Sequence, residues 1–202
     1  KNKPLNKNWK PCIDGGDIFR YSLKFDSQYV LYDPAIKAGG CWDETTHNVE
    51  EKIVIRQIGV TPIATLDVNK YYCLNTIYNI TSLAEDLDYR YILAVINSEL
   101  IKFFWKARFS DSKLLFPKVK KVYLDQIPIK RINRTQQQPI IALVDKMLSP
   151  NKRLNELGDQ QSNERTELER EIKQTDAQID ELVYTLYGIT EEERKIIEES
   201  LK

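Results

Sequence analysis

Apolar and polar residues change their period near the middle of the chain. In the first part they form short β-branched or aromatic runs with alternation: Gln28 to Tyr32, Lys52 to Ile58, Ala64 to Val68 and Tyr71 to Ile80. Such runs predict short strands, the second with Ile53, Ile55 and Gln57 on one face. Asn69-Lys70 between the last two runs has the composition of a hairpin turn. A helical pattern follows, with Tyr91, Leu93, Ala94, Ile96 and Leu100 on or near an apolar face. Ser82 with Glu85 fits a capping box for it, and Asp86 or Asp88 are alternative caps. Asn97-Ser98 predicts a bend or a break between two helices, because both side chains compete for helical hydrogen bonds. Pro128 closes a short extended segment.

The remainder reads as helix. Leu168, Ile172, Thr175, Ile179, Leu182 and Leu186 fall at alternating steps of four and three. That is a heptad seam of about three heptads, marginal for a freestanding coiled coil. Gln136 to Leu157 carries a second pattern through Ile140, Leu143, Val144 and Met147, so an antiparallel helical pair is expected, kinked or interrupted at Pro150. Gly188 suits a helix C-terminus, and Thr190 with Glu193 caps a last short helix. The fold class expected is α+β. A head over residues 1–135 holds a small mixed or antiparallel sheet with packed helices, and a tail over 136–202 is a helical hairpin or short coiled coil.

Composition narrows the class. At 202 residues, with eleven Tyr and three Trp, the chain can bury a core. No stretch approaches a membrane span, and the polar N-terminus lacks a signal core, so a cytoplasmic protein is expected. Cys12, Cys41 and Cys73 are odd in number and widely spaced, which argues against a disulfide framework. With a single histidine, His47, they do not make a standard zinc site. The chain starts at Lys1, and its one methionine is Met147, so a piece of a longer protein is expected.

Charge changes the picture further. The chain holds 30 basic and 30 acidic residues, yet residues 151–202 carry 8 basic against 14 acidic. That leaves residues 1–150 with 22 against 16, a basic head on an acidic tail. Lys102 to Lys121 concentrates seven Lys or Arg against one Asp. Lysines there, Lys113, Lys118, Lys120 and Lys121 among them, suit phosphate contacts, which supply affinity without reading sequence. Planar donors suit base edges, so Arg20, Arg56, Gln57 and Arg108 are the candidates for reading. A solvated cationic loop is the plain alternative, and composition alone does not choose between them.

Catalytic patterns are sparse. Gly15-Gly16 and Gly39-Gly40 are isolated pairs, not a glycine-rich strand-to-helix turn. Glu50-Glu51-Lys52 enters a strand with the Glu-x-Lys spacing of Mg²⁺ nucleases, with Asp33 or Asp43 as a possible second carboxylate. The pattern is short, common by chance and unsupported by a second acidic cluster, so a solvated strand end is the reading preferred. No catalytic, cofactor-binding or metal residue is assigned.

Several stretches, in order, resemble one known family. The helix around Asn97-Ser98, then Phe116-Pro117, then Leu124-Asp125-Gln126-Ile127-Pro128-Ile129, resembles the TaqI-like specificity (target-recognition) domain of restriction-modification methyltransferases. Lys10-Pro11-Cys12-Ile13-Asp14-Gly15-Gly16-Asp17-Ile18-Phe19-Arg20-Tyr21 is similar to its opening segment, and Ile179 to Thr190 to its closing helix. Gly16 departs from the family, where Arg or Lys is common. The resemblance implies double-stranded DNA as partner and an upstream methyltransferase domain that binds S-adenosylmethionine. Methylation would be at adenine N6, by a methyltransferase or a combined methylase-endonuclease (type IIG), with another restriction-modification subunit as a further possible partner. The Asn/Asp-Pro-Pro-aromatic tetrapeptide this chemistry requires is missing here, since no two prolines are adjacent. Two alternatives stay open. One is half of a type I specificity subunit; the other, from a different class, is a helical protein-docking or structural module whose basic loop is incidental.

Overall fold

The computed structural model describes residues 3–33, 35, 43–109 and 117–202. The α+β class expected from the sequence is the one observed. Its centre is an antiparallel sheet of β5 (Lys52–Arg56), flanked by β6 (Ala64–Asp67) and β8 (Ile77–Ile80), in the order β6-β5-β8. A second sheet sets β1 (Trp9–Ile13) between β4 (Tyr29–Leu31), antiparallel, and β7 (Tyr72–Cys73), parallel. Between them, β2 (Ile18–Phe19) and β3 (Ser22–Leu23) form a small antiparallel pair. A short helix, α1 (Glu44–His47), is capped by Asp43, which accepts from the Thr45 backbone N–H.

The strand predicted over 71–80 is therefore divided in two. The Asn69-Lys70 turn is present: Asp67 accepts from Asn69 N–H at 2.8 Å and Tyr71 N–H at 3.0 Å, and Lys70 sits at φ 59°. It is not a hairpin, because β6 pairs with β5 while β7 leaves to join β1. β5 itself is buried on both sides. Ile53 and Ile55 enter the main core, and Val54 enters a second apolar cluster with Ile13, Ile18, Cys73 and Ile77. Lys52 lies opposite Asp67 in the register, and its ammonium meets that carboxylate at 2.7 Å with neither side chain exposed (0%/0%).

Against the sheet lies α2 (Tyr89–Asn97), with every residue from Tyr91 to Asn97 buried. A helix so enclosed has packing on all sides, which explains the continuous apolar run from Tyr91 to Ile96. Asp88 is its cap, accepting from Arg90 N–H. Ser98 ends it, and α3 (Glu99–Phe109) starts at once, which is the break expected at Asn97-Ser98. The Asn97 side chain pairs with both backbone groups of Ala64, accepting at 3.1 Å and donating at 3.0 Å, so the break is stapled to β6.

After the short α4 (Lys121–Leu124), α5 (Arg134–Leu157) and α6 (Asn163–Tyr187) form the antiparallel pair, and α7 (Glu191–Leu201) packs on α3. α5 continues past Pro150, so the expected interruption there does not occur. Gly188 closes α6 in a left-handed conformation (φ 72°), with its own N–H on Thr185 O and that of Ile189 on Tyr184 O. Thr190 and Glu193 form the capping box of α7.

The α6 seam turns inward. Ile179 and Val183 join Ile140, Val144 and Met147 of α5 in one core with Ile53, Ile55 and the α2 side chains. Polar clasps reinforce it. Gln137, fully buried, accepts from Asp88 N–H and donates to Asp86 O and Ile132 O. The Tyr187 hydroxyl donates to Pro128 O at 2.6 Å and accepts from Lys130 N–H at 3.1 Å. The expected division at 135/136 thus runs through a shared core.

Candidate nucleic-acid interface

β5 delivers its last residue, Arg56, to the edge of the molecule, and the chain continues through Gln57 to Gly59 between two neighbours. On one side Gln57 N–H donates to Thr76 O at 2.8 Å. On the other the basic stretch returns. Gly59 N–H donates to Pro117 O at 3.0 Å, Val119 N–H donates to Gln57 O at 2.8 Å, and Ile58 bridges Lys118 antiparallel. The return is thus paired on the end of β5. Val119 points in, 1% exposed, while Lys118 and Lys120 on either side of it are exposed. An extended backbone sends alternate side chains to opposite faces, so burying Val119 forces both lysines outward.

The far end of the return is fixed by aromatic packing. Tyr123 on α4 stacks on Phe109 at the end of α3, with centroids 4.5 Å apart and planes 8° apart, and Trp105 meets both edge-on. The Lys120 ammonium lies 5.3 Å from the Tyr123 ring centre. Lys121 pairs with Asp125 one turn on, at 2.7 Å, with both side chains well exposed. An exposed pair at this spacing is worth about 0.3–0.5 kcal/mol, so Lys121 can exchange partners readily. Two apolar side chains share the surface: Ile58 and Val60, 44% and 64% exposed.

Of the residues proposed from sequence, Arg56, Gln57, Lys118 and Lys120 therefore come together at one paired seam, and Lys121 follows at the start of α4. Gln57 is half-buried, and its side-chain amide reaches Ile77 O at 3.4 Å. Arg20 is elsewhere. Its Nε donates to Asn97 O at 2.9 Å and its Nη1 is paired with Asp176 of α6, so it braces head to tail. Arg108 is exposed on α3, beside a shallow depression lined by Leu100, Phe103, Phe104 and Ala107. Among the described residues no hydrogen bond ties it to the seam. Lys113 lies outside the described residues, as do Cys41, Phe116 and the Gly39-Gly40 pair.

Sequence reasoning missed the exposed Ile58 and Val60 and the Phe109–Tyr123 stack. No local pattern marks either, because exposure and a contact fourteen positions apart arise only when the return docks. The nuclease pattern dissolves. Lys52 is sealed against Asp67 and the His47 carbonyl, Glu51 pairs with Arg90 at 3.1 Å, and Asp43 caps α1. Among the described residues no group of three or more His, Cys, Asp or Glu could hold a metal ion.

Comparison with known proteins adds two matches. The profile of the TaqI-like C-terminal specificity domain matches residues 10–129, more than half of the chain. The fold is similar to that in a solved structure of the type IIL restriction-modification enzyme MmeI in complex with DNA, with a TM-score of 0.60 and 12% sequence identity. That similarity covers 92% of this chain and 29% of the MmeI chain, so this chain spans less than a third of that enzyme's length. No curated protein sequence matches significantly. The profile starts within β1 and ends just beyond α4, taking in both strands of the seam and the helix break that supports it, and the chain belongs to the TaqI-like C-terminal specificity domain family.

Proposed function

We propose that the chain recognises a specific sequence in double-stranded DNA, as the target-recognition domain of a restriction-modification enzyme. The observation that carries this reading is the paired seam, which sets Lys118 and Lys120 outward beside Arg56 and Gln57 on a backbone fixed from both sides. Cations held on a rigid base neutralise phosphates with little ordering cost, and planar donors beside them can meet base edges. The family match and the DNA-bound MmeI structure support the same reading.

The finer assignment follows from the family resemblance. The parent protein is an adenine-N6 methyltransferase or a methylase-endonuclease of the type IIG kind, acting in the cytoplasm. S-adenosylmethionine binding and methyl transfer belong to a methyltransferase domain upstream of Lys1. This chain sets where on the duplex that chemistry falls. It is not an enzyme by itself. Half of a type I specificity subunit is the runner-up. The protein-docking alternative needs an open helical seam, and here that seam packs into the core.

The test is a salt titration of duplex binding by the chain and by a variant with Lys118, Lys120 and Lys121 all changed to Glu. Binding is expected to weaken steeply with salt, and the variant to lose at least about tenfold in affinity with a shallower slope. Unchanged affinity in a variant that folds normally by circular dichroism would remove the seam from the interface.

A further inference from the structure

Two of the described arginines, Arg56 and Arg108, show neither an ion pair nor a side-chain hydrogen bond to other described residues, whereas the other eight are each committed to a carboxylate or a carbonyl. Arg56 differs from Arg108 in being half-buried, with a guanidinium Nε that is shut off from solvent and has no acceptor. Leaving a buried donor unsatisfied is costly, and native structures tolerate it mainly where the group has work to do. The neighbours explain how it is held. At Gly59 an added Cβ would stand 3.3 Å from Arg56 Nε and 3.4 Å from its Nη2, and at Gly15 one would stand 3.5 Å from Arg56 Cβ. The Gly15 distance is an ordinary contact, so it is Gly59 that leaves room for the guanidinium, and Gly59 is itself pinned to the basic return through Pro117 O.

Resting on the DNA-recognition reading, we propose that Arg56 reads a guanine in the target, with Gly59 as its positioning residue. The chemistry is specific. A planar guanidinium presents two parallel N–H groups that match guanine O6 and N7 across the major groove, a pairing that no other base offers in that pattern. A guanidinium wedged over Gly59 has already lost much of its rotameric freedom and part of its hydration, so less is spent when it meets the base. Lys118 and Lys120 alongside fix the phosphates and therefore the register at which Arg56 arrives.

The experiment selects bound duplexes from a randomised pool with the full chain, then repeats it with Arg56→Lys, Arg56→Ala, Gly59→Ala and Lys118→Ala. The wild-type consensus should contain a guanine whose preference falls about tenfold or more in both Arg56 variants. Arg56→Lys keeps the charge, so its salt slope should match the wild type while its guanine preference is lost. Gly59→Ala should weaken discrimination at that position alone, again with the salt slope unchanged. Lys118→Ala should lower affinity for all sequences alike. Replacing that guanine with 7-deazaguanine should weaken wild-type binding and leave Arg56→Ala unaffected. Selective binding with an unchanged consensus in the Arg56 variants would overturn the guanine assignment alone. A wild-type chain that shows no salt-sensitive duplex binding would overturn that assignment together with the recognition reading.

Discussion

Asp180 sits on α6 where three elements meet. It accepts from the Glu99 backbone N–H at 2.8 Å at the start of α3, with Arg20 and Asp176 close by. Burial raises its carboxyl from 3.8 to about 6, outweighing the Glu99 hydrogen bond and the Arg20 charge, which act the other way. Because the folded state holds this proton more tightly than the unfolded chain does, the contribution is complete below pH 4 and is lost as pH rises through about 6. A shift of that size corresponds to about 3 kcal/mol. Asp180→Asn keeps an acceptor for Glu99 and cannot ionise. Its stability by urea denaturation should lack the decline that the wild type shows between pH 4 and 7, and identical pH profiles would refute the assignment. Lys52 shows what single residues hide from sequence. Its place at the start of an alternating run reads as a solvated strand end, but a second apolar cluster covers the face that Val54 shares with it. A lysine there persists because Asp67 opposes it in register, and that partner lies fifteen residues away on another strand.

The helical elements were largely legible because their signals are local. Asp88, Gly188 and Thr190 with Glu193 act as caps through bonds to backbone groups within a few residues. The Asn97-Ser98 break was legible as a break, though not for its full reason. Asn97 is kept at that junction because its amide closes both backbone groups of Ala64. Asn97→Ala would leave the Ala64 N–H buried without a partner, while the Ala64 C=O keeps the Tyr21 N–H at 3.1 Å, an expected loss of about 1–3 kcal/mol in urea unfolding. A change below about 1 kcal/mol would mean that water or another side chain takes over. The strands were legible as strands but not in their pairing. Nothing near Tyr72-Cys73 in sequence announces a parallel partner at Cys12-Ile13, and nothing near Lys118 announces Ile58. Both pairings join segments about sixty residues apart, so alternation can show an extended backbone without showing its neighbour.

At the scale of the whole molecule, the tail completes the head. Ile140, Val144, Met147, Ile179 and Val183 fill the side of α2 that faces away from the sheet, and Asn155 reaches Ser22 and Leu23 O near the β2–β3 pair. Of the heptad positions of α6, Ile179 is buried in the core and Ile172, Leu182 and Leu186 pack against it, with Val183 from outside that spacing. Periodicity alone cannot say whether a seam meets another copy of the chain or its own core. With the seam inside, sedimentation velocity should show a monomer at micromolar concentration. A concentration-dependent dimer would require a different face. The electrostatic division keeps its sense in three dimensions: the acidic excess lies in the helices, and the basic return lies on the sheet edge.

The return is joined to the end of β5 through main-chain atoms, Pro117 O to Gly59 and Gln57 O to Val119. Such bonds are indifferent to what the outward side chains are. Lys118, Lys120, Ile58 and Val60 can therefore be exchanged without disturbing the scaffold that presents them, while the buried Val119 cannot. A lineage could alter what it reads by drifting at a few outward positions, and still inherit an intact frame.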